Sequence, residues 1–119
     1  MVDCCKELFD QDNYFHAVLE ATKLYHNMVQ KKSGLKKDGQ DLMMQAFGES
    51  GILKITNCST DTEKNFEEGI KFLSAGLMRA LRNPTAHEKK MDWDIDKEDC
   101  LNILGLISYL LKQLNKINK

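Results

Sequence analysis

A chain of 119 residues carries one domain and is too short for two. With 42% hydrophobic and 29% charged residues it has a globular composition, which excludes a disordered or fibrous class. The 17 basic residues balance 18 acidic ones at a net charge of −1, so a generally basic nucleic-acid coat is excluded. Of those 17, fifteen are Lys and two are Arg, and both Arg79 and Arg82 fall shortly before His87.

Val2 to Asp10 reads as a short opening helix. The leading M-V-D-C-C-K-E is charged and lacks the apolar run of a secretory signal. Cys4, Cys5, Cys58 and Cys100 form no C-x-x-C pair and are read as reduced thiols of a cytoplasmic protein. From Asn13 onward, Tyr14, Ala17, Val18, Ala21, Leu24, Tyr25, Met28 and Val29 recur at helical spacing, one stripe on a long amphipathic helix. Gly34 is a natural stop. K-K-D-G then marks a turn, and Asp41 to Phe47 reads as a short helix ended by Gly48. Ile52 to Thr56 alternates and is β-branched, but a lone strand has no partner, so an extended loop is expected.

Thr60-Asp61-Thr62-Glu63 is a capping box opening the next helix. Phe66, Ile70, Leu73, Leu77, Ala80 and Leu81 form its expected core stripe. Gly69 and Gly76 share one face, which points either to close approach of another backbone or to simple tolerance. Asn83-Pro84 must disturb this helix near Arg82, because Pro removes an N–H and disfavours helical geometry before it. Pro84 then begins a new turn carrying His87. Glu88 to Asp94 is a polar connection holding the only Trp, Trp93. Asp96 caps the last helix, where Ile103, Ile107, Leu110, Leu114 and Ile117 make a stripe widened by Leu101, Leu104, Leu106 and Leu111. Such a helix is either the centre of a bundle or half of a dimer interface. Its apolar run, Leu101 to Leu111, is broken by Asn102, Gly105 and Ser108 and is far short of the ~20 residues that span a bilayer. The expectation is an all-α fold, a small helical bundle with short loops forming a single domain over residues 1–119.

R-N-P-T-A-H, from Arg82 to His87, is the one grouping that looks like chemistry. Arg offers a planar fork of donors for a phosphate and stays charged. His titrates near neutrality and can give or take a proton. Asn83 can orient an imidazole or cap a turn. Arg with His and no metal-ligand set suits cleavage of a phosphodiester by an internal nucleophile, the 2′-OH of RNA, which DNA lacks. His16, His26 and His87 do not fall at ligand spacing with any Cys, so neither metal nor cofactor is expected. An Arg, an Asn cap, a Pro and a His at a helix junction also suit a purely structural role. Arg79 is a supporting contact or an ordinary surface residue. Lys89-Lys90 follow the motif closely enough to hold an RNA backbone. Lys31-Lys32 and Lys36-Lys37 read as solubilising, Glu20 and Lys23 as a solvated pair, His16 as a surface or core residue, and Met43-Met44 as core filler.

These blocks resemble a known family. L-F-D-Q-D-N-Y-F-H-A-V-L-E-A-T-K, G-Q-D-L-M-M-Q-A-F, F-E-E-G-I-K-F-L-S-A-G-L-M-R-A-L-R-N-P-T-A-H-E and L-N-I-L-G-L-I-S-Y-L-L-K-Q-L, in this order, resemble the C-terminal domain of the Ymh family. That family belongs to the Abi-like prokaryotic proteins, a branch of the HEPN superfamily. The resemblance implies a HEPN-like bundle that forms a homodimer, with the R-x4-6-H motifs of two protomers meeting in one composite, metal-independent ribonuclease site. Carried over, Arg82 and His87 are the catalytic pair and Asn83 the polar residue that follows the Arg. It further implies an RNA substrate, a role as a toxin or in phage defence, and an antitoxin or regulatory partner. Lys89 stands where some such toxins carry a Tyr that is adenylylated, so that form of control is not expected. The near-neutral charge is modest for an RNA binder. Some HEPN domains are non-catalytic dimerisation or ligand-sensing modules, and that is the alternative reading.

Overall fold

The periodicities translate into elements with small shifts at their ends. The computed structural model describes residues 3–82 and 95–117. Among them the chain forms α1 (Asp3–Asp10), α2 (Tyr14–Ser33), α3 (Gly39–Ala46), α4 (Asp61–Leu77), a π-helical turn (Met78–Arg82) and α5 (Lys97–Asn115), with no strand. The all-α expectation holds for these residues. No described helix is long and apolar enough to cross a membrane.

The stripe read on α2 is its buried face: Ala17, Val18, Ala21, Tyr25 and Val29 are fully buried. Gly34 ends the helix as expected. Its φ of +72° places it in the left-handed region, and its N–H donates to the Gln30 carbonyl. Three polar side chains are buried on the same helix, and each has a partner. Thr22 Oγ1 donates to the Val18 carbonyl at 2.7 Å, the Tyr25 hydroxyl pairs with Ser74 Oγ of α4 at 2.7 Å, and the His26 ring meets the residues that open α3. Burial pushes the Tyr25 phenol well above its ordinary pKa, and the Ser74 bond offsets only part of that. α2 also packs against α1, α3, the π turn and α5, so it is the centre of the bundle.

The stripe of α5 suits either a bundle centre or an interface, and the packing of α2 makes it a flank. Asp96 caps it through a 2.8 Å bond from the Asp99 N–H, and Leu104, Ile107, Leu110 and Leu114 are buried. Two bonds fix its direction. The Cys100 thiol, near its start, reaches the Tyr14 carbonyl at the start of α2 at 3.7 Å. Lys32 Nζ, near the end of α2, donates to the Ile117 carbonyl just past the end of α5 at 3.2 Å. The two longest helices therefore run parallel.

The segment between α3 and α4 forms no strand but an irregular loop with bends at 51–52 and 55–56, and a carboxylate holds it in place of a partner strand. Glu67, fully buried on α4, accepts from the Thr56 N–H at 2.7 Å, the Thr56 hydroxyl at 2.6 Å and the Ile55 N–H at 3.1 Å. Gly48, at φ +98°, begins the reversal after α3. A Cβ at Gly51 would fall on the backbone carbonyl of Phe47. The Leu53 N–H then returns to the Ala46 carbonyl at 2.8 Å, which seats Leu53 in the core.

The capping box forms as read. Thr60 Oγ1 accepts from the Glu63 N–H, and the Glu63 carboxylate accepts from the N–H groups of Ser59 and Thr60. Those donors, Ser59 first, hold the Glu63 carboxyl below its usual range. The core stripe of α4 is corrected. Ile70, Leu77 and Leu81 are buried, but Leu73 and Ala80 face outward, and Glu67 and Ser74 take inward positions. A buried Glu and Ser are tolerated because Thr56 and Tyr25 satisfy them. Met43 is core as expected, whereas Met44 is exposed. Cys58 and Cys100 are free thiols.

Two substitutions test these supports. Glu67→Ala strands the Ile55 and Thr56 donors and is expected to lower unfolding stability by about 1–3 kcal/mol in urea titrations. An unchanged midpoint would show that the loop does not depend on the carboxylate. Gly51→Ala forces the turn against Phe47 and is expected to cost a similar ~1–3 kcal/mol, read from the same titration.

Candidate functional site

The helix that leads into R-N-P-T-A-H changes its winding before it arrives there. The Met78 N–H is shared between the Ala75 and Ser74 carbonyls, and residues Met78–Arg82 then form the π turn. A π turn spaces its hydrogen bonds one residue wider than an α turn, so every following side chain is rotated relative to a continued α-helix. The sequence places a disturbance at Asn83-Pro84. The departure from α geometry in fact begins at Met78. A Pro lacks an N–H, and in a continued helix its ring would crowd the carbonyl four residues back, so a ladder that loosens before residue 84 suits the sequence. Met78 and Leu81 stay buried and anchor the π turn, while Arg79 and Ala80 are exposed.

The expected site residues divide accordingly. Arg79 stands exposed on the π turn, and the backbone of Arg82 closes it. The Arg82 side chain lies outside the described residues, as do Asn83, His87, Lys89 and Lys90, together with the Pro84 turn and the Glu88 to Asp94 connection. The structure thus brings the only two Arg into one turn at the end of α4. Among the described residues no group of His, Cys, Asp and Glu is arranged to hold a metal ion.

The outer face of α4 runs directly into this turn and carries apolar groups that are exposed among the described residues. Phe72 is 58% exposed and Leu73 45% exposed. Gly69 and Gly76 flank them at helical spacing, and a Cβ at either would meet nothing within 4 Å. Of the two readings of these glycines, close approach or simple tolerance, the close approach is not made among the described residues. Lys71 Nζ lies 4.7 Å from the centre of the Phe72 ring and bonds Glu68 Oε1 at 2.8 Å. That pair holds the Glu68 carboxyl below its usual range, with help from the Glu49 N–H. A second exposed apolar strip lies on α5 at Leu101 and Tyr109, with Gly105 between them.

Two polar centres escape the periodicity because they sit at core positions. Glu67 is one. The other is His26, whose Nε2 lies 2.8 Å from Asp38 Oδ1 and 3.1 Å from the Gly39 N–H that points at it. Nδ1 faces Asn27 Oδ1 at 3.2 Å. One nitrogen cannot both donate to Asp38 and accept from Gly39, so the ring favours one bond or the other according to its tautomer. Glu20 and Lys23 form the solvated pair expected, 3.8 Å apart with both side chains about half exposed, and His16 is on the surface.

The model of the family described as "Protein of unknown function (Hypoth_ymh)" matches residues 1–114. No curated protein and no solved structure matches the chain. Nearly the whole length is covered, including α1 to α4, the π turn, the R-N-P-T-A-H segment and most of α5. The chain belongs to the Hypoth_ymh family.

Proposed function

We propose that this protein is a homodimeric, metal-independent endoribonuclease of the HEPN superfamily, acting in the cytoplasm as a phage-defence effector or growth-arresting toxin. The observation that carries the reading is R-N-P-T-A-H itself, whose first residue, Arg82, is the last of a π turn in a chain of this family. π turns in helices recur at functional sites because they re-aim side chains. The exposed strip of Gly69, Phe72, Leu73 and Gly76 supports the dimer: its glycines leave open space beside exposed apolar side chains, and it lies on the helix that leads to Arg82.

In this mechanism one His87 imidazole takes the proton of a ribose 2′-OH. The 2′-oxygen then bonds to the adjacent phosphorus and the bond to the 5′-oxygen breaks. The partner's His87 imidazolium delivers a proton to that leaving oxygen, so each ring ends in the form in which the other began. Arg82 carries the charge that gathers on the phosphate oxygens, Asn83 orients the ring, and Arg79, Lys89 and Lys90 hold flanking phosphates. The products are a 2′,3′-cyclic phosphate and a 5′-hydroxyl. The balanced net charge favours a second reading, a non-catalytic dimerising or ligand-binding module.

Purified protein and end-labelled RNA in EDTA separate the two. Cleavage to 2′,3′-cyclic ends is expected, and His87→Ala should lower its rate by about 10²–10⁴-fold with an unchanged far-UV spectrum. Equal cleavage by that variant removes His87 from the chemistry, and no cleavage by the parent favours the module. Light scattering at micromolar concentration should give a dimer, and Leu73→Asp should give a monomer that no longer cuts. A monomeric parent protein would rule out a composite site.

A further inference from the structure

The near-zero net charge conceals a separation. No Asp or Glu lies between Glu20 and Asp38, and none follows Asp99. Because α2 and α5 run parallel, these two acid-free stretches finish at the same end of the bundle, where Lys32 reaches the Ile117 carbonyl. Lys31, Lys32, Lys36 and Lys37 are gathered there with Lys112 and Lys116. Among the described residues none of these six is ion-paired. Asp38, the nearest carboxylate in sequence, is engaged by His26, and Asp41 follows in the first turn of α3. At the other end of the same two helices stand Glu7, Asp10, Asp12, Asp96, Glu98 and Asp99, against Lys6 and Lys97.

A structural explanation accounts for part of this. Lysines at a helix C-terminus complement its dipole, and two parallel C-termini together present a charge of about −1. Six ammonium groups exceed that several-fold. Two of them, Lys31 and Lys32, wall a cleft of about 420 Å³ at the last turns of α2 and α5 together with Met28 and Asn115. It offers an ammonium for phosphate, an amide for a sugar or base edge, and a thioether wall for a base face. A cleft of about 400 Å³ beside α3 and α4 differs in that its Lys71 is already bonded to Glu68.

We propose that this lysine end is a phosphate-contacting surface for single-stranded RNA, with the Met28–Asn115 cleft seating one nucleotide. The choice of RNA as the polyanion rests on the ribonuclease reading above. A molecule with near-zero net charge can still attract a polyanion when its positive groups are gathered at one end, since the local field governs encounter. Neutralising several phosphates makes such binding steeply salt-dependent.

The test measures fluorescence anisotropy of a labelled single-stranded RNA of mixed sequence, using His87→Ala protein so that the probe stays intact. Lys31→Gln, Lys112→Gln and Lys116→Gln are combined in that background, and Lys32 is left alone for its bond to Ile117. Affinity is expected to fall at least about tenfold at low salt. The slope of log affinity against log salt is expected to shrink by about 0.7 for each phosphate that is no longer neutralised. Replacing the same three by Arg should preserve binding, and Lys6→Gln with Lys23→Gln should leave it unchanged. Should the combined variant not fold, the three single Lys→Gln changes read the same quantity. Unchanged affinity and slope in the Gln variants overturn the proposal. So does weakening confined to phosphatidylserine vesicles with RNA binding intact, which would make this a membrane-facing surface. Charge-dependent RNA binding in a protein that never cleaves would defeat the ribonuclease reading and leave this surface standing.

Discussion

Burial of α2 on several sides is the constraint from which the rest of the architecture follows. A helix buried that way cannot leave its polar side chains to water, so Tyr25 and His26 must find protein partners, while Thr22 turns back on its own backbone. Those two partners set the neighbours. The Tyr25–Ser74 bond fixes the rotation of α4 about its axis. The His26 ring fixes where α3 begins, through Asp38 and Gly39. Once α4 is turned so that Ser74 faces Tyr25, Glu67, two turns earlier, also points inward, and the Ile55–Thr56 segment supplies the donors it needs. The same rotation turns Phe72 and Leu73 outward. The core polar bonds and the exposed apolar strip are thus two faces of one choice.

That coupling explains which parts of the fold can be read from the amino-acid sequence. Helix limits are legible because capping is local. Thr60 and Glu63, Asp96, and Gly34 each act within a few residues of where they stand. The facing of α4 is not legible from hydrophobic spacing, since Leu73 reads as core and Glu67 as surface until Thr56 and Tyr25 are known to be nearby. The π turn is equally silent, because Met78, Arg79, Ala80, Leu81 and Arg82 fit an α pattern as well as a π one over so short a run. The R-N-P-T-A-H segment, by contrast, announces itself through residue type alone. What sequence cannot supply there is the aim of Arg79 and Arg82, which depends on how many residues the last turn contains.

Charge behaves in the same way. A total of −1 describes the chain as a bead, whereas the parallel arrangement of α2 and α5 converts two lysine-rich tails into one end of a rod. Spacing along the chain gives no hint of this, since the two groups lie far apart in sequence. An antiparallel pair would have set the same lysines at opposite ends, each opposed by carboxylates.

Parallel pairing also carries a kinetic consequence. The bonds that align α2 with α5 join residues 86 and 85 positions apart, so closing them requires nearly the whole chain to be gathered first, and the entropy of closure opposes it. Helical bundles with short up-and-down connections avoid this and fold fast, whereas long-range contacts slow folding. The packing of α3 on α4 is local and needs no such wait. On this principle the end of the molecule where lysines from both long helices come together is expected to form late in folding, and release of α5 alone would divide it.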